Sequence, residues 1–273
     1  MIPEGVNKNN VDRFLGFEDE YDRHRPEAPS MMVDLLSHYL GRKPELVVDL
    51  GSGTGLSSFV WKHHAAQIIG VEPNDDMRGK ALDKKNRQSD AGAVTFIPGY
   101  SNQLDLEDSS ADIITCSQSF HWMEPVSTLR EAARVLREGG VFAAYDCDWP
   151  PIASWEVEEA FTSLHQKADE IIARHTAPEE RANKRNKEEH LRYLRESGQF
   201  RFTKEVVFHH KETCDAARYI GLALSQGGVR TVMKLGSDEL NGHIEQLHNR
   251  AEAYFKDHAN EVIFCYRMRL GIK

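Results

Sequence analysis

Apolar positions recur along the chain with two alternating periods. From Ser30 to Leu40, residues Met32, Leu35, Leu36, Tyr39 and Leu40 fall at helical spacing, and Gly41 follows as a C-terminal stop. The short run Leu46 to Leu50 reads as a buried strand. Leu56 to Ala66 predicts a second helix, with Leu56, Phe59, Val60 and His63 or His64 on one side. Further strands are predicted at Gln67 to Val71, Val94 to Ile97, Ala111 to Ser117 and Val141 to Asp146. Helices are predicted at Asp75 to Arg87 and at Val126 to Arg137, the latter ending in Gly139-Gly140. Strands alternating with helices imply a parallel sheet covered on both faces and joined by right-handed crossovers.

After Trp149-Pro150-Pro151 the pattern changes. Ser154 to His175 reads as a helix. Thr176 to Ser197 reads as a charged helix closed by Gly198. Phe200 to His209 alternates like a strand. Asp215 to Phe255 returns to helices, broken at Gln226-Gly227-Gly228 and at Gly236. Glu261 to Leu270 alternates again. The expected fold class is α/β: a Rossmann-like doubly wound sheet of seven strands, mostly parallel, with a C-terminal antiparallel strand and a helical lid.

The chain has 273 residues and a formal net charge of −9. That length suits one domain with a substantial insertion. An acidic chain has no general attraction for phosphate backbones, so no nucleic-acid partner is expected. The dense basic run from Arg181 to Arg195 is interrupted by acids. Glu180 with Lys184 and Glu188 with Arg192 stand four apart, the spacing of a solvated helix face. No apolar run has the length of a membrane span, and the N-terminus lacks the order of a secretory signal. Cys116, Cys147, Cys214 and Cys265 are dispersed, which points to a reducing, cytoplasmic compartment. The histidines lack helical ligand spacing, and no metal is expected.

The strongest chemical signal is Asp49-Leu50-Gly51-Ser52-Gly53-Thr54-Gly55, placed directly after a buried strand. Glycines there let the backbone turn tightly and approach a ligand closely. A dinucleotide fingerprint would want glycine at position 56, which is Leu56. A phosphate loop would want Gly-Lys followed by Ser or Thr, which is absent. Glu72 ends the second strand, 17 residues after Gly55, where an acid accepts ribose hydroxyls. Gly99-Tyr100-Ser101 follows the third strand. Ser117-Gln118-Ser119-Phe120-His121-Trp122 follows the fourth, facing the glycine loop across the switch point. His121 is the one candidate general base, matched to neutral pH.

The order DxGxGxG resembles motif I of the class I S-adenosylmethionine-dependent methyltransferases, with a methyltransferase type 11 domain. Arg134 to Tyr145 is similar to the family's helix, glycine turn and fifth strand. His121-Trp122, Tyr21, Arg25-Pro26 and the ending YRMRLGIK resemble small-molecule methyltransferases of the trans-aconitate methyltransferase kind. The resemblance implies S-adenosyl-L-methionine as cofactor. By position it implies contacts from Tyr21, Arg25, Asp49, Gly51, Ser52, Gly53, Gly55, Glu72, Pro73, Met77, Gly99, Tyr100, Ser101, Ser117, Gln118 and His121. In the family an acid commonly reads the adenine where this chain has Tyr100, which leaves the Ser101 amide for that contact.

A sulfonium suits an aromatic-walled pocket. Phe14, Phe17, Tyr21, Trp122, Trp149 and Trp155 are candidate walls, and Phe17, Trp122 and Trp149 are assigned to the substrate pocket. A carboxylate acceptor would need an arginine, for which Arg25, Arg218 and Arg230 stand open. The expected organisation is a single domain over 1–273. Residues 1–29 form a lid segment, 30–149 the cofactor-binding core, and 150–200 and 213–258 helical insertions over the active site. The expected partner is a small-molecule substrate, with no membrane, in a monomer or homodimer. Two other readings stay open: a cofactor-binding module or regulator without methyl transfer, and a nicotinamide oxidoreductase.

Overall fold

The structure, a computed structural model, describes residues 2–273. Seven strands form one sheet: β1 (Leu46–Leu50), β2 (Gln67–Val71), β3 (Val94–Ile97), β4 (Ala111–Ser117), β5 (Leu136–Ile152), β6 (Phe202–Cys214) and β7 (Asn260–Ile272). Their order across the sheet is β3-β2-β1-β4-β5-β7-β6. Strand β7 runs antiparallel to both of its neighbours and the other six share one direction, as expected. Strands β1 and β4 pair side by side, so their carboxyl ends flank one crevice at the switch point.

Val47, Val48 and Leu50 are fully buried, because β1 lies in a sheet covered on both faces. Helix α3 (Ser30–Leu40) covers one face with Met32, Val33 and Leu36. Helix α5 (Pro125–Val135) covers the other with Leu129, Ala132 and Val135. Helix α4 (Asp75–Arg87) starts at an Asn74 cap whose side chain accepts the Met77 amide at 3.0 Å. Two short helices, α1 (Lys8–Asp12) and α2 (Glu18–His24), precede them all.

Three expectations change. The segment after the glycine loop is not an α-helix. Only Phe59–Trp61 winds, as a 3-10 turn, within a series of i to i+3 bonds. Phe59, Val60 and Trp61 are poor helix formers, and the Ser57 and Ser58 hydroxyls are drawn to Asp49 at 2.6 and 2.7 Å. Strand β5 starts directly at the end of α5 and runs on through Trp149-Pro150-Pro151. Beyond Asp146 it projects past β4, paired only with β7. Helices α6 (Trp155–His175), α8 (Ala216–Leu224) and α10 (Asn241–Phe255) pack around that projection, with α9 (Gly227–Lys234) against α6.

The third change concerns Thr176 to Ser197. It is two 3-10 turns, Pro178–Glu180 and Lys187–Glu189, then a short helix α7 (His190–Glu196). It is not one solvated helix. Glu180 and Lys184 do not pair, and Arg192 pairs with Glu189 and Glu196. The extended stretch is held by main-chain partners instead. Asn183 N donates to Asn10 Oδ1 at 2.7 Å, and Arg185 N donates to the His121 carbonyl at 2.9 Å. A strip read as solvent-facing therefore packs behind the switch-point crevice, against Asn10 and His121.

Candidate functional site

The crevice begins with the glycine loop. Gly51, Gly53 and Gly55 all have positive φ, at 67°, 55° and 84°. Their side-chain space differs. A Cβ on Gly51 would meet Ser119 at 2.7 Å. One on Gly55 would meet Phe59 at 2.7 Å and Phe96 at 2.8 Å. One on Gly53 would meet nothing within 4 Å, because Gly53 faces the open crevice. Gly53 thus leaves room for a ligand to approach the backbone, and Gly55 serves packing.

Glu72 stands beneath this loop. Its Oε2 accepts the Gly53 amide at 2.8 Å and its Oε1 the Asn74 amide at 2.8 Å. Burial pushes its pKa up to about 7, against those two amides, which favour the charged form. A carboxylate so placed retains free lone pairs for ribose hydroxyls.

The crevice has two lobes that share Tyr21, Gly51, Gly53, Ser117 and Gln118. The larger encloses about 840 Å³. Its wall includes Glu72, Pro73, Met77, Gly99, Tyr100, Ser101 and Trp122. The smaller includes Arg25, Ser52 and Trp149. These fifteen sequence-predicted residues meet in one place, brought there by the ends of β1 to β5 and by the N-terminal helices.

Four assigned residues stand off the wall. Asp49 is fully buried behind the loop, where it accepts hydroxyls from Ser57, Ser58 and Thr115. It shapes the turn and has no room for a ligand. Gly55 packs on two phenylalanine rings. Phe17 is buried against Phe14 and Tyr21. His121 is buried, with Nδ1 3.2 Å from Asp146, and it lines neither lobe. Burial pushes its pKa down to about 3, so it is a neutral imidazole out of reach of the crevice. Trp155, offered as a wall, is 71% exposed. Arg218 pairs with Glu212 away from these lobes.

Several wall residues escaped the sequence reading. Asn7, Asn10, Val11, Asn102, Met123 and Glu124 line the larger lobe. Asn7 caps α1 by accepting the Asn9 amide at 2.9 Å. That Asx cap was the one available signal that the N-terminus begins with ordered structure.

The residues present fit an adenosyl cofactor: an open glycine position, an acid that accepts hydroxyls, and a neighbouring hydrogen-bonding strand end. Residues 48–144 match the family model described as "Methyltransferase domain". An uncharacterized methyltransferase of Mycobacterium bovis is 32% identical over 120 residues, covering 44% of this chain and 46% of that protein. A probable S-adenosylmethionine-dependent methyltransferase of Saccharomyces cerevisiae is 26% identical over 125 residues, covering 45% of this chain and 43% of its own length. The chain thus spans about half the length of the curated relatives it matches. In fold it is similar to a solved protein of Anaeromyxobacter dehalogenans named a "Putative Type II Methyltransferase". Their TM-score is 0.66 at 20% identity, over 91% of this chain and 97% of that one. Residues 48–144 are thus similar to the methyltransferase domain family, on a fold that the chain shares with a solved methyltransferase-like protein.

Proposed function

We propose that the whole chain transfers a methyl group from S-adenosylmethionine to a small-molecule acceptor, with a carboxylate oxygen the favoured acceptor atom. The observation that carries the cofactor reading is the Gly53–Glu72 pair. The loop amide is held 2.8 Å from the carboxylate, beside a glycine whose side-chain space opens into the crevice. Tyr21, Met77, Gly99, Tyr100 and Ser101 would enclose the nucleoside, and Ser117 and Gln118 the amino-acid end.

Bound S-adenosylmethionine supplies an electrophilic methyl on a sulfonium sulfur. The chain's contribution is alignment and exclusion of water. An ionised acceptor oxygen would need no proton removed, so the chain would have only to hold it in line with that methyl. That suits this wall. Neither lobe is lined by histidine, lysine or cysteine, and His121 is neutral and turned to Asp146. The acids there are Glu27, Glu72 and Glu124, and Glu72 and Glu124 already accept backbone amides.

The residual readings are separable. A [4+2]-cyclase shares the fold, with a TM-score of 0.56 at 15% identity over 99% of this chain, so the fold does not by itself require methyl transfer. The test is release of S-adenosylhomocysteine over a panel of small carboxylic acids, together with calorimetry of cofactor binding. Turnover on one acceptor supports the reading. Cofactor binding with no release on any acceptor leaves a binding module, and tight binding of NAD alone overturns both.

A further inference from the structure

Gln118 holds a strained backbone at the centre of the crevice. Its φ is 53°, in the left-handed region that a residue with a side chain adopts only at a cost. It is the first residue after β4, and its amide still donates to the Tyr145 carbonyl at 2.9 Å. The residue lines both lobes, so its carboxamide stands where they meet.

That carboxamide has one fixed partner. Lys187 Nζ lies 3.3 Å from Gln118 Oε1 and 2.9 Å from Asp146 Oδ1. An ammonium only donates, so the atom facing it must be the carboxamide oxygen, and Nε2 turns away from it. Among the described residues the Gln118 side chain has no other hydrogen bond, and both Nε2 hydrogens are left for the crevice. Lys187 is itself anchored. Two residues earlier, Arg185 N donates to the His121 carbonyl at 2.9 Å and Arg185 Nε to the Met123 carbonyl at 2.8 Å. Asn186 caps the turn that Lys187 begins, accepting the Glu188 amide at 3.0 Å. The late extended strip thus reaches the crevice through one lysine, although Lys187 lines neither lobe.

Resting on the methyl-transfer reading above, we infer that Lys187 is a positioning residue, which orients the Gln118 carboxamide so that Nε2 donates to the carboxylate of the cofactor's amino-acid end. Without the ammonium, either end of the carboxamide can face the crevice, and half of those arrangements set an oxygen against an anion. Asp146 holds the ammonium in place, so the buried charge cluster behind β5 acts on the crevice through this single contact.

The test titrates the full chain by calorimetry with S-adenosylhomocysteine and with 5′-methylthioadenosine, which lacks the amino-acid end. The unmodified protein should prefer S-adenosylhomocysteine. Gln118→Ala should weaken that ligand about tenfold to a hundredfold, the range for a hydrogen bond to a charged group. Lys187→Met should weaken it about threefold to tenfold, and Lys187→Arg, which keeps a donor-only cation, should recover most of the loss. Both Gln118→Ala and Lys187→Met should leave 5′-methylthioadenosine affinity within about twofold. In a Gln118→Ala background, Lys187→Met should add less than about twofold, because the group it orients is gone. Equal weakening of the two ligands by Lys187→Met, or its full effect in the Gln118→Ala background, would make Lys187 structural only and overturn the inference. Unchanged S-adenosylhomocysteine affinity in Lys187→Met overturns it too, as does an unmodified protein that binds both ligands equally. An unmodified protein that binds neither ligand overturns the methyl-transfer reading instead.

Discussion

Lys187 Nζ lies 2.9 Å from Asp146 Oδ1 and 3.3 Å from Gln118 Oε1, tying the extended late segment to the end of β5 and to the crevice wall. Asp146 is also met by His121 at 3.2 Å, His190 at 3.4 Å and Arg269 at 3.9 Å. Burial pushes its carboxyl up. The facing imidazoles and the Lys187 charge outweigh that and leave its pKa well below the ordinary value. Asp146→Ala should cost about 3–5 kcal/mol, because Lys187 and Arg269 would lose a buried counter-charge. Lys187→Met should cost less, since Arg269 still faces the carboxylate. Urea unfolding of both variants measures the difference, and equal small losses would count against Asp146 as the centre of this cluster. The depressed native pKa also places the stabilisation above the ordinary value of 3.8, to be lost as pH falls through and below it.

Cofactor binding should depend on pH through Glu72. Its carboxyl titrates near 7 in the folded chain, and the ionised form is the stronger acceptor for ribose hydroxyls. Affinity for S-adenosylhomocysteine should rise from about pH 6 to about pH 8. Glu72→Gln should bind about ten- to a hundredfold more weakly, with the pH step abolished. The folded pKa is raised above the ordinary 4.5, so the native chain binds this proton more tightly than the unfolded chain. Its contribution to stability is complete below about 4.5 and is lost as pH rises to about 7. Calorimetry at several pH values gives the first result, and a step that survives in Glu72→Gln would assign it to another group.

Two alanine substitutions in the same loop should fail in different ways. Gly53→Ala meets no atom within 4 Å, so its stability cost is the left-handed backbone alone, about 1–2 kcal/mol. Its methyl enters the crevice, and cofactor affinity should fall at least about tenfold. Gly55→Ala adds a clash with Phe59 and Phe96 at 2.7 and 2.8 Å, so its larger effect should be on melting temperature. Thermal unfolding with and without S-adenosylhomocysteine separates the two, and identical behaviour would contradict the division of roles.

His121 gives a negative prediction. A buried imidazole with a pKa near 3 stays neutral at neutral pH and is too weak a base to take up a proton there. His121→Gln should lower stability through the Asp146 cluster while leaving the shape of the pH–rate profile unchanged. A lost acid limb in that profile would restore His121 as a base.

Much of the core was legible because its signals are local. Asp49 to Gly55 and Glu72 are separated by one strand, and the buried runs of β1, β2 and β4 are short and strongly apolar. The turn Gly99 to Ser101 was placed at the end of the third strand in the same way. The errors arose where charge or turn chemistry decided the backbone. Arg181 to Arg195 carries alternating charge in both a solvated helix and a folded-in strip, and only the partners Asn10, His121 and Asp146 distinguish them.

The sequence by itself determined the strand–loop–acid unit, because a glycine loop, its strand and its acid lie on two neighbouring strands close in sequence. It determined the order of strands along the chain as well, including two late ones. Only the tertiary structure decided which glycine faces the crevice, that His121 is sealed against Asp146, and that Arg13 reaches Gly227 at the start of α9. Those outcomes depend on burial and on contacts between residues up to 214 positions apart, such as Arg13 and Gly227. Desolvation and charge pairing are properties of a position in space, and no local pattern of residues encodes them.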